Sequence, residues 1–369
     1  MNNVGIIGVG KLGLCFALLL EKAGYNVIAS DTNGEYIRNL TKKHIETPEP
    51  HVLDLLKQSK NIEFVTNNEK VIESCAIIYI FVATPSLSDG SYDISSIRKI
   101  IKQIKDRKSS SVCTGIVIGC TVNPGDCNDF QNSLQDMNVY YNPEFIAQGS
   151  IIDDLKQADL VLIGGNGHHI PYIKKIYKNI QITEPKIYVL STLASELVKI
   201  AVNCFLTTKI SFANMIGDVL KKYNIGDETD EVLSAIGADS RIGNKYLKYG
   251  FGFGGPCLPR DNRSLAHAIN KVGFQHNIGK VVDDLNNEHH KFLLHINIKN
   301  NKDNLPYVFE YITYKKGTSI LAESQQYRLA IELLDNGYEV WVIDDNVRND
   351  CDSRLKWGVP PGNYMQIKL

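Results

Sequence analysis

No two of the eight cysteines fall in a CxxC spacing, and no early apolar run approaches the length of a membrane span. The longest, Leu12 to Leu20, stops at Glu21 after nine residues, against roughly 20 needed to cross a bilayer. No transmembrane helix is expected. Excess charge is lacking too: 40 basic against 41 acidic side chains leave a formal net charge of -1. That balance gives no bulk attraction to nucleic acid or to an anionic membrane surface, and neither is an expected partner. No repeat of solenoid period and no low-complexity tract occurs. The pairs His168-His169 and His289-His290 have no cysteine or carboxylate at ligand spacing beside them, so no metal site is expected. Met1-Asn2-Asn3 leads directly into an apolar pattern without the basic segment and cleavage site of a signal peptide, and a cytoplasmic protein is expected. At 369 residues the chain needs no disulfide staples, so most cysteines read as small buried apolar residues.

What the sequence does hold is ordinary globular composition, with 43% apolar and 22% charged residues, enough for two or three domains with real cores. Val4 to Ile7, Asn26 to Ser30, Ile77 to Val82, Gly115 to Gly119 and Leu160 to Ile163 are near-continuous apolar runs. Such runs suit strands of a parallel sheet covered on both faces, alternating here with amphipathic stretches. The predicted fold class is therefore α/β, opening with a Rossmann-like, doubly wound domain over residues 1–190. From Ser191, the residues Leu193, Leu197, Ile200, Ala201, Phe205, Ile210, Phe212 and Ile216 recur at helical spacing with no strong breaker until Gly226. One long central helix is predicted, beginning a helical domain over residues 191–285, and its apolar surface implies at least a homodimer. Pro256 and Pro259 bracket a glycine-rich loop, 250–261, before helical texture resumes at Arg263. A strand, helix and strand follow at Tyr307 to Thr313, Glu323 to Asn336 and Glu339 to Ile343, with Gly337 as the helix stop. The remainder is thin, so residues 286–369 form a shortened C-terminal α/β domain.

Gly8-Val9-Gly10-Lys11-Leu12-Gly13 fits GxGxxG, follows a predicted strand and opens a helix. Gly8 allows the tight turn, Gly10 lets backbone approach a pyrophosphate at the helix N-terminus, and Gly13 permits close helix–strand packing. Lys11 and Leu12 complete the turn. Asp31, eighteen residues after Gly13, is placed for the adenosine ribose hydroxyls, and its charge would repel a 2′-phosphate. NAD is the expected cofactor. Thr84, Pro85 and Thr121 lie at the ends of two further strands, where open α/β sheets bind their ligands.

The most specific run is Phe251-Gly-Phe-Gly-Gly-Pro-Cys257-Leu-Pro-Arg-Asp261. Glycines let a substrate approach backbone, and Asp261, four residues on, can share a helical face with Cys257. A cysteine at a helix N-terminus is favoured as thiolate, so Cys257 reads as a nucleophile.

GFGGPCLPRD resembles the GFGGSCFPKD motif of the UDP-glucose/GDP-mannose dehydrogenases. The likeness extends along most of the chain: Val82-Ala-Thr-Pro-Ser86 with Asp89-Gly90, Cys120-Thr-Val122, Asn142-Pro-Glu-Phe145, Ser195 to Asn203 and Arg241 to Lys248 stand in that family's order and spacing. The resemblance implies oxidation of a nucleotide sugar's C6 hydroxymethyl to a carboxylate, with two NAD reduced and a thiohemiacetal and thioester on Cys257. UDP-glucose is the first expectation; a UDP-N-acetylhexosamine, GDP-mannose, or a catalytically weakened sugar-nucleotide binder are the alternatives. It further implies that Lys199 and Asn203 steady a developing oxyanion, and that Thr121, Glu144 and Asp261 position or deprotonate water and the alcohol. Arg260 is assigned to the cofactor. Glu144, Phe145, Gln148, Lys199, Asn203, Arg241, Tyr246, Lys248, Gly254 and Lys315 are assigned to the sugar nucleotide, Arg241 reaching a neighbouring subunit's site, with nucleotide binding in 286–369.

Three departures stand out. Gln148 replaces the second glutamate of the family's NPEFxxE and cannot take up a proton. Arg260 stands where lysine is common. Ile320 and Ala322 occupy the acidic and arginine positions of the family's FKxxTxDxRES, while Lys315 is kept.

Overall fold

The protein, described as a computed structural model, is defined for residues 3–107 and 110–367. It divides into two compact units, 1–199 and 200–369.

The first unit carries an eight-stranded sheet: β1 (Asn3–Ile7), β2 (Asn26–Ser30), β3 (Ile62–Val65), β4 (Ile77–Ile80), β5 (Gly115–Ile118), β6 (Asn138–Tyr141), β7 (Leu160–Gly164) and β8 (Lys186–Leu190). Their spatial order is β3-β2-β1-β4-β5-β6-β7-β8. All pairings are parallel except β6 with β7, where Tyr141 opposes Gly164. Order reverses between β1 and β4, which creates the crevice at strand carboxyl ends where such sheets take ligands. The helices are α1 (Lys11–Lys22), α2 (Gly34–Thr41), α3 (Val52–Gln58), α4 (Glu69–Ser74), α5 (Ser95–Asp106), α6 (Asp126–Ser133), α7 (Ile151–Lys156) and α8 (Ile170–Ile180). Leu14 to Leu20 of α1 are buried throughout, because this helix is pressed between the sheet and α7 and α8. Its apolar residues join Ile6, Tyr79, Val117, Ile163 and Ile176 in one core. The strands β3, β6 and β8 were not among those predicted. Their apolar runs are short, and β8 is largely exposed.

The predicted long helix is α9 (Thr192–Lys222). By length and composition it could cross a membrane, but its polar side chains make specific contacts within the protein. Glu196 is buried, accepting hydrogen bonds from the Gly125 and Cys127 backbone amides at 2.6 and 2.8 Å, and Thr207 Oγ1 bonds Asn262 Oδ1 at 2.8 Å.

The second unit continues with α10 (Thr229–Ala238), α11 (Leu258–Lys271), α12 (Ile278–Asn300), β9 (Tyr307–Phe309), α13 (Gln325–Asp335), β10 (Val340–Val342), β11 (Lys356–Trp357) and β12 (Met365–Ile367). Helix α11 begins at Leu258, not at Arg263 as the texture implied: Pro259 sits in its first turn, where a missing N–H costs nothing. Side chains of Asn277 and Ser324 cap α12 and α13, each cap contributing about 1 kcal/mol. The thin tail supplies two short strands, giving a parallel four-stranded sheet of order β11-β10-β9-β12. Tyr307, Phe309, Leu329, Leu333 and Val342 form its core.

Candidate active site

In the first unit, the turn from β1 into α1 fits a dinucleotide on steric grounds. Gly8 has φ +94°, and a Cβ on Gly13 would lie 2.0 Å from the Gly8 carbonyl oxygen, so both positions demand glycine. Gly10 differs: an added Cβ would meet no atom within 4 Å. Its glycine is required by nothing inside the protein and leaves a cradle beside the helix N-terminus, whose cap makes no side-chain hydrogen bond. Helix N-terminal amides beside open space suit a pyrophosphate. Asp31 is tied to this turn, accepting from Val9 N at 3.1 Å and from Asn33 N at 3.0 Å. Four lone-pair positions on a carboxylate leave capacity for ribose hydroxyls after those two bonds. Lys11 Nζ donates to Gln148 Oε1 at 3.0 Å, which places Gln148 against the fingerprint. Leu12 is half-buried against the core. At the end of β4, buried Thr84 donates through Oγ1 to the Thr121 carbonyl at 2.8 Å, and the Pro85 carbonyl accepts from Asp93 N at 2.8 Å. These bonds tie two of the predicted strand-end segments together.

Glu144 follows β6 and is buried, 7% exposed. Its Oε1 meets the Tyr177 hydroxyl of α8, which also contacts Asn142 Oδ1 at 2.8 Å. Burial pushes the Glu144 carboxyl up to about 7, outweighing the opposite pull of Tyr177 and of the Lys199 ammonium. A carboxyl titrating there can hold or accept a proton near neutrality. Lys199 Nζ donates to the Glu144 carbonyl at 2.7 Å and lies 4.7 Å from the centre of the Phe145 ring. Lys199, Glu144 and Phe145 are thus one cluster.

In the second unit, Cys257 is the exposed member of the eight cysteines; five are buried and Cys120 and Cys351 are intermediate. It is the N-cap of α11, and its carbonyl accepts from Asp261 N at 2.9 Å. Asp261 is 1% exposed; its Oδ2 accepts from Asn203 Nδ2 at 2.6 Å, and its carbonyl accepts from Cys204 Sγ at 3.3 Å. One turn of α11 therefore presents an accessible thiol with a buried, oriented carboxylate behind it. Arg260 stands beside Asp261, Nε lying 3.9 Å from Oδ1. Gly254 precedes the thiol, where a Cβ would fall 2.3 Å from the Glu323 carbonyl oxygen.

The remaining predicted residues are exposed. Arg241 has its guanidinium paired with Asp239 at 2.6 Å, its side chain 86% exposed. Tyr246, at φ +63°, and Lys248 are exposed, as is Lys315. Three of the four paired histidines make side-chain hydrogen bonds. His169 contacts Thr114 Oγ1, His289 lies between Asp218 and the Gly250 carbonyl, and His290 contacts Glu332. Among the described residues no group of three or more His, Cys, Asp or Glu is arranged to hold a metal. The spacing argument missed Tyr177. Its signal was a tyrosine inside the apolar stripe Ile173, Ile176, Ile180 of α8, since a buried phenol needs a polar partner.

The profile of the UDP-glucose/GDP-mannose dehydrogenase family, NAD binding domain, matches residues 2–181, and that of the same family's central domain matches residues 193–288. UDP-glucose 6-dehydrogenase YwqF of Bacillus subtilis is 31% identical, over 79% of this chain and 67% of its own. UDP-glucose 6-dehydrogenase of Rickettsia conorii is 32% identical over 72% of this chain, which spans 62% of that enzyme's length. Among solved structures, a UDP-glucose dehydrogenase from Pyrobaculum islandicum superposes with a TM-score of 0.87 at 24% identity, covering 98% of this chain and 87% of that one. With the family's NAD-binding domain in its first unit and the family's central domain following, this chain belongs to the UDP-glucose/GDP-mannose dehydrogenases, NAD-dependent oxidoreductases of nucleotide sugars.

Proposed function

We propose that the chain oxidises the C6 hydroxymethyl of UDP-glucose twice, to the carboxylate of UDP-glucuronate, through a covalent thioester on Cys257. The observation that carries this reading is the exposed Cys257 thiol at the N-terminus of α11, with buried Asp261 one turn behind it and bonded to Asn203. UDP-glucose is preferred because the relatives above 30% identity bear that substrate in their names. Gly8 to Gly13, Asp31 and the segments at Thr84, Pro85 and Thr121, with Arg260, would hold NAD, which would supply the hydride acceptor for each oxidation. In the first, a carboxylate form of Glu144 or Asp261 removes the hydroxyl proton as C6 becomes an aldehyde. The Cys257 thiolate then adds to C6, and the Lys199 ammonium and Asn203 amide stabilise the negative oxygen of the thiohemiacetal. Loss of the second hydride leaves a thioester. Water, positioned by Thr121 and deprotonated by the carboxylate, releases the uronate and restores the thiol. Phe145, Gln148, Arg241, Tyr246, Lys248, Gly254 and Lys315 are the proposed substrate contacts, with nucleotide binding by 286–369.

The same reading makes the protein a cytoplasmic homodimer. Leu193, Leu197, Phe205, Phe212, Met215 and Val219 of α9, with Tyr223 just after it, are exposed in the single chain, Phe205 by 67%, an apolar array suited to a second copy. Acid-quenched turnover mixtures test the chemistry: the peptide containing Cys257 should carry a UDP-uronyl mass sensitive to hydroxylamine. A Cys257→Ala variant making uronate at the normal rate would remove the thiol from the mechanism.

A further inference from the structure

The hydrogens between β6 and α8 can be assigned by counting donors. Asn142, 1% exposed, directs Nδ2 at the Leu162 carbonyl, 2.9 Å away. Only the amide NH2 can face a carbonyl, so Oδ1 is fixed toward Tyr177, at 2.8 Å. An amide oxygen only accepts, so the one phenolic proton serves either Asn142 Oδ1 or Glu144 Oε1; it is taken as given to Oδ1, the acceptor that can never carry a proton of its own. The phenolic oxygen then faces Glu144 Oε1 as an acceptor, and that contact is a hydrogen bond only when Oε1 carries a proton. An ionised Glu144 would have to draw the phenolic proton to itself, leaving the buried Asn142 oxygen without a donor, which is costly.

We propose that Asn142 and Tyr177 are positioning residues that hold Glu144 as the neutral acid, its proton on Oε1 and its Oε2 turned to substrate or water. The chain runs from Glu144 to Tyr177 to Asn142 and ends on the Leu162 carbonyl. Because an amide neither gains nor loses a proton near neutrality, the chain stores a proton rather than conducting one. The titratable groups facing Glu144 are Tyr177 from α8, Tyr79 from β4 and Lys199 from α9. Lys199 alone is cationic and draws the carboxyl toward ionisation, as would a hydrogen bond donated by Tyr177, whereas burial opposes both; the raised value of about 7 is the balance. For the double oxidation proposed above, on which this consequence rests, Glu144 becomes a base only after losing the stored proton, so any step it serves as base quickens as pH rises through neutrality.

The test is an infrared pH titration of the full-length protein carrying 13C-labelled glutamate, with Glu144→Gln identifying the band. In the wild type the protonated Glu144 carboxyl should persist at pH 6 and disappear with a midpoint near 7. Asn142→Leu removes the competing acceptor and frees Tyr177 to donate to the carboxylate, which should lower the midpoint by about one unit. A wild-type midpoint in the ordinary glutamate range, or an unchanged midpoint in folded Asn142→Leu, overturns the proposal; should that variant not fold, the wild-type titration decides. No substrate enters the sample. A normal midpoint would therefore leave the dehydrogenase reading standing, while absence of NADH formation from every nucleotide sugar would end that reading without moving the infrared band.

Discussion

Replacing Glu144 by glutamine should change the pH dependence of stability in a direction and size that the fold dictates. The carboxyl is raised from 4.5 to about 7 by burial, so the native state keeps a proton that the unfolded chain releases between those values. Linkage then has stability present in full below pH 4.5 and falling as pH rises to about 7, beyond which the difference is constant. At about 1.4 kcal/mol per unit, the loss is about 3 kcal/mol. Glutamine mimics the neutral acid: its Nε2–H can donate to the Tyr177 oxygen while Tyr177 continues to donate to Asn142. The variant should match the wild type near pH 5 and exceed it by up to about 3 kcal/mol at pH 8. Both tryptophans, Trp341 and Trp357, lie in the second unit, so their fluorescence is the wrong probe. Hydrogen exchange of core amides in β4, β5 and β6 reads the first unit directly. Parallel pH curves for the two proteins would show that Glu144 is not held neutral and would refute the reasoning. Turnover by the variant should fall by about 10²–10⁴-fold if the residue acts as an acid or base.

Cys257→Ser should stop the reaction after the first oxidation, because a serine hydroxyl is far less nucleophilic at neutral pH; NADH yield per sugar and product mass would show it, and undiminished uronate would contradict it. Gly10→Ala and Gly13→Ala should separate binding from folding. A methyl at 10 meets nothing within 4 Å and one at 13 strikes the Gly8 carbonyl at 2.0 Å, so the first should lose NAD affinity with its melting temperature kept and the second should lose stability. Equal NAD affinity in Gly10→Ala by calorimetry would remove the cradle from the cofactor site. Phe205→Glu should convert the proposed dimer to monomers by light scattering, and a wild type that is already monomeric would reject the α9 interface.

Much of this was legible because the signals were local. The apolar runs of β1, β2, β4, β5 and β7 announce strands covered on both faces, and the glycines of the fingerprint announce a turn that only they can make. Cys257 was legible as the thiol because its neighbours Gly254, Gly255 and Asp261 define a turn entering a helix. Four-residue strands such as β3 and β6 carry too few side chains for periodicity to show. The start of α11 was displaced because Pro259 looks like a break in a sequence and serves as a first-turn residue in a helix. Partners far apart in the chain were not legible: Tyr177 meets Glu144 across 33 residues and Lys11 meets Gln148 across 137. Gln148 shows the consequence. It stands out in sequence only as a departure from the family's motif, and its bond to the lysine of the cofactor fingerprint carries no local signal.

The central claim is a double oxidation at one thiol, and product stoichiometry tests it most directly. Purified protein should be run to completion with limiting UDP-glucose and excess NAD, in parallel with a UDP-N-acetylhexosamine and GDP-mannose, with NADH counted and the sugar product weighed. The account predicts two NADH and one uronate per UDP-glucose consumed, with no free aldehyde. One NADH with released aldehyde, or none with any sugar nucleotide, would contradict it.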